Sequence, residues 1–306
     1  MKGPILVVLA AGMGSRYGGL KQMDKIGRNG EVLLDYSVFD AIKSGFEKVV
    51  FIIRSDIEKD FRGLVLARME KKVNYELAFQ NPDSLIPPDI FREAQTAGRT
   101  KPWGTGHALL CAADKLDAPF TVINADDFYG REAFAVMCKH LLSNDAKTPS
   151  IVPYRLEKTL SLQGTVARGV CEVKDGFLSG VDELTAIAKK DGRIFNTAPD
   201  GSTRDLLPET PVSMNFWGFS PNILSEFKKY FDDYLKTFAS DPQGQIKSEC
   251  FIPKAVDHFI KQGICGVKVL EANSDWFGVT YKEDKEEAIK KIDNLTLAGV
   301  YPPVLW

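Results

Sequence analysis

The chain has 306 residues, 44% hydrophobic and 26% charged, with 39 Lys and Arg against 41 Asp and Glu for a formal net charge of −2. That length builds one large or two ordinary globular domains, and the interspersed, nearly balanced charges exclude a surface devoted to a polyanion such as nucleic acid. No apolar stretch is long enough to span a bilayer, and Met1-Lys2-Gly3-Pro4 lacks the apolar core of a secretory signal, so a soluble cytoplasmic protein with no membrane partner is expected. Cys111, Cys138, Cys171, Cys250 and Cys265 are scattered, with no CxxC pair and no histidine at zinc-ligand spacing. They read as small buried hydrophobes in a reducing compartment. His140 and His258 fall in helical-looking segments with no partner nearby in sequence, and read as structural.

In chain order, Pro4-Ile5-Leu6-Val7-Val8-Leu9 is the continuous apolar run of a strand buried on both faces of a parallel sheet. It delivers Leu9-Ala10-Ala11-Gly12-Met13-Gly14-Ser15-Arg16-Tyr17-Gly18-Gly19-Leu20-Lys21-Gln22, a glycine-rich turn carrying two cations. Such a turn lets backbone N–H groups approach phosphate oxygens while Arg16 and Lys21 neutralise charge, the chemistry of a triphosphate cradle. The third glycine of a dinucleotide fingerprint is missing, and no Gly-Lys-Ser/Thr follows as in a P-loop.

Val49-Val50-Phe51-Ile52-Ile53 reads as a second buried strand, and Ser55-x-x-Glu58 as a capping box opening a helix toward Glu70. Val73 to Phe79 alternates as a third strand, Leu109 to Leu116 falls in a helix, and Phe120-Thr121-Val122-Ile123 is a fourth strand. This rhythm predicts an α/β fold with a doubly wound, mostly parallel, Rossmann-like sheet. Ligands of such sheets sit beyond the carboxyl ends of the strands, where the turn at Gly12 falls.

After the third strand come Gln80, a proline-containing stretch and Pro102-Trp103-Gly104-Thr105-Gly106-His107-Ala108. A glycine-flanked loop lets main-chain groups approach a base edge, and a glutamine amide both donates and accepts; the plain alternative is a helix start with Thr105 near its cap. The fourth strand runs into Asn124-Ala125-Asp126-Asp127-Phe128-Tyr129-Gly130. Paired carboxylates at that strand end, beside a triphosphate, make a magnesium site; the plain alternative is a cap for the next helix.

The second half alternates less and has more β character. Gly164 to Val173, Phe177 to Glu183, Val212 to Phe219 and Val267 to Leu270 read as strands, followed by Asp275-Trp276-Phe277-Gly278-Val279-Thr280 and a charged amphipathic closing helix, Lys282 to Leu297. The expected organisation is one domain over 1–306: a nucleotide-binding half over 1–145, a β-rich substrate lobe over 146–281, and a helix and tail over 282–306.

Together these motifs resemble the sugar-1-phosphate nucleotidylyltransferases, the relatives of glucose-1-phosphate thymidylyltransferase and acetylglucosamine-1-phosphate uridylyltransferase. That family's first loop reads Ala-Ala-Gly-x-Gly-x-Arg with a lysine several residues on, matched here by Arg16 and Lys21. The resemblance implies catalytic roles for Arg16 and Lys21 and nucleotide contacts from Leu9, Ala11, Gly12, Gly14, Gln80, Gly104 and Thr105. Gly104-Thr105-Gly106-His107-Ala108 is close to the loop of the uridylyltransferases and points first to UTP. Gly169, Glu183 and Asn215 match the family's sugar-facing Gly-Val strand, its Glu-Lys-Pro segment and its Asn-x-Gly strand.

Leu184 stands where the family has its sugar-phosphate lysine, leaving Arg168, Lys189 or Lys190 as substitutes. Asp126 aligns with the aspartate that holds Mg2+, but Ala125 replaces a glycine and Asp127 a neutral residue, so the ligating carboxylate is open between the two. Asp275 matches, in shuffled order, the Trp-x-Asp-x-Gly-Thr segment that brings a second metal carboxylate. The implied reaction is in-line attack of a sugar-1-phosphate on the α-phosphorus of a nucleoside triphosphate, with pyrophosphate leaving. Two alternatives keep the fold: a cytidylyltransferase for choline phosphate or another non-sugar phosphate, and a regulatory subunit that binds nucleotide without turnover.

Overall fold

The computed structural model describes residues 2–12, 24–161, 163–279 and 283–306. Gly14, Arg16 and Lys21 lie outside the described residues. Strands β1 (Ile5–Leu9), β2 (Lys48–Ile53), β3 (Tyr75–Phe79) and β4 (Phe120–Asn124) pair in parallel in the order β3-β2-β1-β4. Successive residues of β1 enter opposite cores. Leu6 and Val8 pack with Leu34, Val38, Phe134 and Met137 on one face, and Ile5 and Val7 with Leu109, Phe227, Val256 and Phe259 on the other. The unbroken apolar run is therefore what a strand covered by helices on both faces requires.

The first face carries α1 (Leu33–Ser44). Short helices α2 (Pro88–Thr96) and α3 (Thr105–Cys111) follow β3, and α4 (Arg131–Leu141) follows β5 (Asp127–Phe128) and packs beside α1. The segment from Ser55 corrects the expected capped helix. It begins as a 3-10 turn, Ser55–Ile57, and passes through a π-helical stretch, Arg62–Leu66. The Ser55 backbone N–H and hydroxyl both donate to Asn81 Oδ1, at 3.1 and 2.9 Å, so a tertiary partner takes the atoms that a local cap would use.

The sheet continues past β4 into the β-rich part of the chain. Here lie β6 (Ser150–Ile151), β7 (Tyr154–Arg155), β8 (Val166–Lys174), β9 (Phe177–Lys190), β10 (Arg193–Thr197) and β11 (Thr203–Leu206). The apolar run Val212 to Phe219, expected as one strand, is two: β12 (Pro211–Ser213) pairs with β8, and β13 (Trp217–Phe219) pairs antiparallel with β4. The break falls at Asn215, whose φ of +60 lies in the left-handed region that asparagine tolerates. One run thus joins the parallel sheet to the β-rich lobe.

Helices α5 (Ile223–Ser240) and α6 (Ile252–Lys261) cover the second face, and β14 (Val267–Val269) bridges β6 and β9. β15 (Phe277–Gly278) pairs with β5 as a separate ribbon. The closing helix α7 (Asp284–Leu297) buries Ala288 and Ile292 against Phe128, Phe277 and Tyr301. Among the described residues no helix is long and apolar enough to cross a membrane.

Candidate active site

The carboxyl ends of β1 and β4 meet because the ladder runs to its last rung: Leu9 lies opposite Asn124, Ala125 N–H donates to Leu9 O at 3.2 Å, and Ala10 N–H donates to Ile52 O at 2.8 Å. Ala11 and Gly12 therefore leave the sheet beside the segment that carries Asp126 and Asp127. Next to them is a cavity of about 270 Å3 lined by Thr105, Asn124, Asp126, Asp127, Arg168, Gly169, Glu183, Asn215, Phe251 and Trp276, among others. The fold thus gathers Asp126 with Arg168, Gly169, Glu183 and Asn215 from segments far apart in sequence.

Register explains how Gly169 and Glu183 come together. Gly169 lies opposite Glu183 on the β8–β9 ladder, and a Cβ on Gly169 would fall 3.3 Å from Glu183 Oε2 and 2.9 Å from Val181 Cγ1. A side chain there would clash first with Val181 and press on the carboxylate. Burial pushes the Glu183 carboxyl above the usual range, opposed by the positive charges of Lys254 and Arg168. Leu184, the next residue, is buried in the core, so its position cannot present a cation to the cavity.

Arg168 faces Leu184 across the ladder, but three of its N–H groups are already directed at Thr159 Oγ1, Thr159 O and Ala167 O, and its guanidinium lies 5.1 Å from the Trp276 ring centre. Lys189 lines a larger adjoining cavity, also bordered by Arg168 and Trp276. Lys254 is exposed in the first turn of α6, its ammonium 5.9 Å from the ring centre of cavity-lining Phe251. Sequence reasoning missed Lys254, since no motif marks it; only the packing of α6 on β9 brings it near Glu183.

A hydrogen-bonded chain fixes the carboxylate end. Trp217 Nε1 donates to Asn215 Oδ1 at 3.3 Å, Asn215 Nδ2 to Asn124 Oδ1 at 3.2 Å, and Asn124 Nδ2 to Asp127 Oδ2 at 2.9 Å. Tyr129, fully buried, accepts from Asn124 N–H at 2.9 Å and donates to Met214 O at 2.8 Å, with Asp127 Oδ2 at 3.3 Å. Burial and the neighbouring Asp127 charge hold its phenol well above the ordinary tyrosine range. The left-handed turn at Asn215 is thus what aims its amide at Asn124.

Asp275 is not brought to this cavity. Its side chain is 75% exposed, ion-paired to Lys158 at 2.5 Å, and borders the adjoining cavity, which shares Trp276 as a lining residue. The residue two places after Trp276 is Gly278, and it pairs directly with Asp127 across the β5–β15 ribbon. A Cβ at Gly278 would lie 2.4 Å from Asp127 Oδ1, so the Asp127 carboxylate occupies the space that a side chain at 278 would take.

At the opposite end, Gln80 extends β3 through its N–H to Ile53 O at 2.8 Å and sends Nε2 to Gly104 O at 3.0 Å and His107 Nδ1 at 3.1 Å. Thr105 is the first residue of α3, beside its N-cap Gly104, as the plain alternative had it, and its hydroxyl also accepts from Ile252 N–H at 3.0 Å at the start of α6. His140 in α4 is buried with Nε2 2.9 Å from Thr148 O, and His258 in α6 tilts against the Tyr230 ring at 5.2 Å. Both serve packing. The cysteines are free thiols, with Cys138, Cys171 and Cys250 buried.

No family model and no curated protein matches the sequence. Solved structures do. The inositol-1-phosphate CTP transferase from T. maritima superposes with a TM-score of 0.62 at 14% identity, covering 96% of this chain and 97% of that one. A putative glucose-1-phosphate thymidylyltransferase from Bacillus anthracis gives 0.61 at 12% identity over 94% of both chains. A UDP-glucose pyrophosphorylase solved with UDP-glucose gives 0.58 at 13% identity over 95% of this chain and 99% of that one. The chain has the nucleotidyltransferase fold. The likeness runs through the whole α/β architecture, the parallel strands and the β-rich lobe together, as the sequence motifs implied.

Among the described residues no three His, Cys, Asp or Glu side chains cluster as a metal cage. A nucleotidyltransferase fold needs none for magnesium, which takes one or two carboxylates and completes its octahedron with substrate phosphates and water. Asp126 and Asp127, two hard oxygen donors on one cavity wall, fit that requirement.

Proposed function

We propose that this protein is a nucleotidylyltransferase that joins a nucleoside triphosphate to a sugar-1-phosphate or the monophosphate of a closely similar cyclic polyol, releasing pyrophosphate. The observation that carries the reading is the convergence of Asp126, Gly169, Glu183 and Asn215 on one cavity beside the exit of β1. A polar clamp suits a polyhydroxylated acceptor, because each hydroxyl buried without a partner is costly.

In this reading Glu183 accepts hydrogen bonds from acceptor hydroxyls, Asn215 orients the acceptor, and Asp126 with Asp127, in place of Asp275, holds Mg2+. Bound there, the ion neutralises phosphate charge during transfer. Lys254 supplies positive charge beside the acceptor that Leu184 cannot. Gly12, Gly14, Arg16 and Lys21 cradle the triphosphate, with Arg16 and Lys21 stabilising charge that moves onto pyrophosphate. An acceptor phosphate oxygen attacks the α-phosphorus in line, the bond from that phosphorus to the bridging oxygen breaks, and pyrophosphate leaves. The acceptor is already ionised, so positioning and charge neutralisation suffice and no protein base is required.

The test is magnesium-dependent pyrophosphate release from each nucleoside triphosphate, with UTP first. The acceptor panel contains sugar-1-phosphates, inositol-1-phosphate, choline phosphate and a blank, with Asp126→Asn as control. The inclusion of inositol-1-phosphate and CTP follows from the T. maritima neighbour. Release that needs one acceptor and is lost in the variant supports the reading; nucleotide binding without release from any pair defeats it.

A further inference from the structure

We infer that His107 is a positioning residue that fixes the Gln80 amide as a one-way hydrogen-bond acceptor, so that the nucleotide taken must present an N–H, not a lone pair, to that side chain. The inference rests on the nucleotidyl-transfer reading and deepens it toward base selection.

The argument is one of donor and acceptor bookkeeping. His107 is completely buried, stacked on Phe231 with ring centres 5.1 Å apart at 25°, and Cys111 Sγ lies 3.5 Å from its Nε2. Nε2 lies 2.6 Å from Ser84 O, which can only accept, so Nε2 carries the proton. Burial lowers the imidazole pKa to about 4, so the ring is neutral and Nδ1 has a lone pair.

That lone pair accepts one Gln80 amide hydrogen at 3.1 Å, and Gly104 O, again an acceptor only, takes the other at 3.0 Å. Both amide hydrogens are committed. Turning the amide over would set its oxygen against two lone pairs, so Nε2 is held inward and Oε1 is the atom left for a ligand. Among the described residues no side chain or backbone group donates a hydrogen bond to Oε1.

An unconstrained glutamine turns whichever end suits a ligand; this one cannot. A base whose lone pair faces Gln80 meets an oxygen and is rejected, while a ring or exocyclic N–H is accepted. The arrangement converts an adaptable side chain into a selective one, at a position where a mismatched hydrogen bond discriminates strongly.

The test combines a variant and a spectrum. His107→Phe keeps an aromatic ring to stack on Phe231 but removes one of the two acceptors, so Gly104 O alone opposes turning of the amide and the hold is weakened. Expected is a fall of about tenfold or more in the ratio of kcat/KM between the preferred nucleoside triphosphate and the next best. A folded, active His107→Phe protein with an unchanged ratio overturns the assignment. Nitrogen-15 NMR of the wild-type imidazole at neutral pH needs no variant: a protonated Nε2 with an unprotonated Nδ1 is expected, and a protonated Nδ1 overturns the assignment. Failure of the wild type to transfer from any nucleotide would count against the proposed activity instead, and the imidazole spectrum still decides the geometry.

Discussion

Replacing Gly104 by alanine would carry a methyl group into the backbone of Cys250. Gly104 has φ +104 and ψ 177, a region essentially confined to glycine, and strain there is of the order of 1–3 kcal/mol. An added Cβ would lie 2.5, 2.7 and 2.8 Å from Cys250 O, N and C, none of which can rotate away. Relief must move Cys250 and so stretch two hydrogen bonds, Cys250 N–H to Trp103 O and Gly106 N–H to Cys250 O, both 2.8 Å. Each is worth about 1 kcal/mol. The expected loss is about 4 kcal/mol, at the upper end for single substitutions, with a fall in Tm on the order of 10 °C. Urea unfolding followed by circular dichroism reads it directly. Gly263→Ala is the control, with φ +66 but nothing within 4 Å of the new Cβ, and should lose only about 1 kcal/mol. A Gly104→Ala protein no less stable than that control would refute the claim that this glycine joins the base-side loop to α6.

Tyr129→Phe strands Asn124 N–H and Met214 O in the core, and is expected to lose about 1–3 kcal/mol in urea unfolding while loosening Asp127. Glu183→Gln separates stability from function. Because burial raises the folded pKa above the unfolded value, the folded state takes up a proton more readily, and the ionised group opposes folding at neutral pH. The variant should therefore be more stable than wild type at pH 8 by a margin that shrinks as pH falls toward the unfolded value, yet bind acceptor more weakly; unfolding midpoints at pH 5 and 8 check the first half and acceptor KM the second. Gly278→Asp places a side chain on the Asp127 carboxylate and should cut turnover sharply, whereas adding Asp127→Ala clears the space for the new carboxylate and should recover part of it. Equal activity in the single and double variants would dissociate position 278 from Asp127.

The fold class and the strand ends were legible in the chain because the signals are local. An apolar run long enough for a doubly covered strand, ending in glycines or paired carboxylates, marks both the strand and its carboxyl end, and β1 and β4 form as those runs imply. The β pattern around Gly169 and Glu183 marked their strands, the family resemblance singled out the two residues, and the ladder set them face to face.

What the sequence could not settle depends on partners far along the chain. The Thr105 hydroxyl accepts from the start of a helix 147 residues away, and Asn215 breaks its strand to reach an amide 91 residues back. Asp275 carries the right side chain in the right neighbourhood, yet the β5–β15 pairing brings Gly278 to the site and gives its space to Asp127. Sequence by itself determined the fold class, the ends of the strands where chemistry belongs, and the kinds of side chain available there, because periodicity and turn chemistry are written in neighbouring residues. Only the tertiary structure decided which carboxylates line the cavity, which cations stand near Glu183 and which way the Gln80 amide points, because strand register and helix packing fix those, and neither is visible until the distant segments meet.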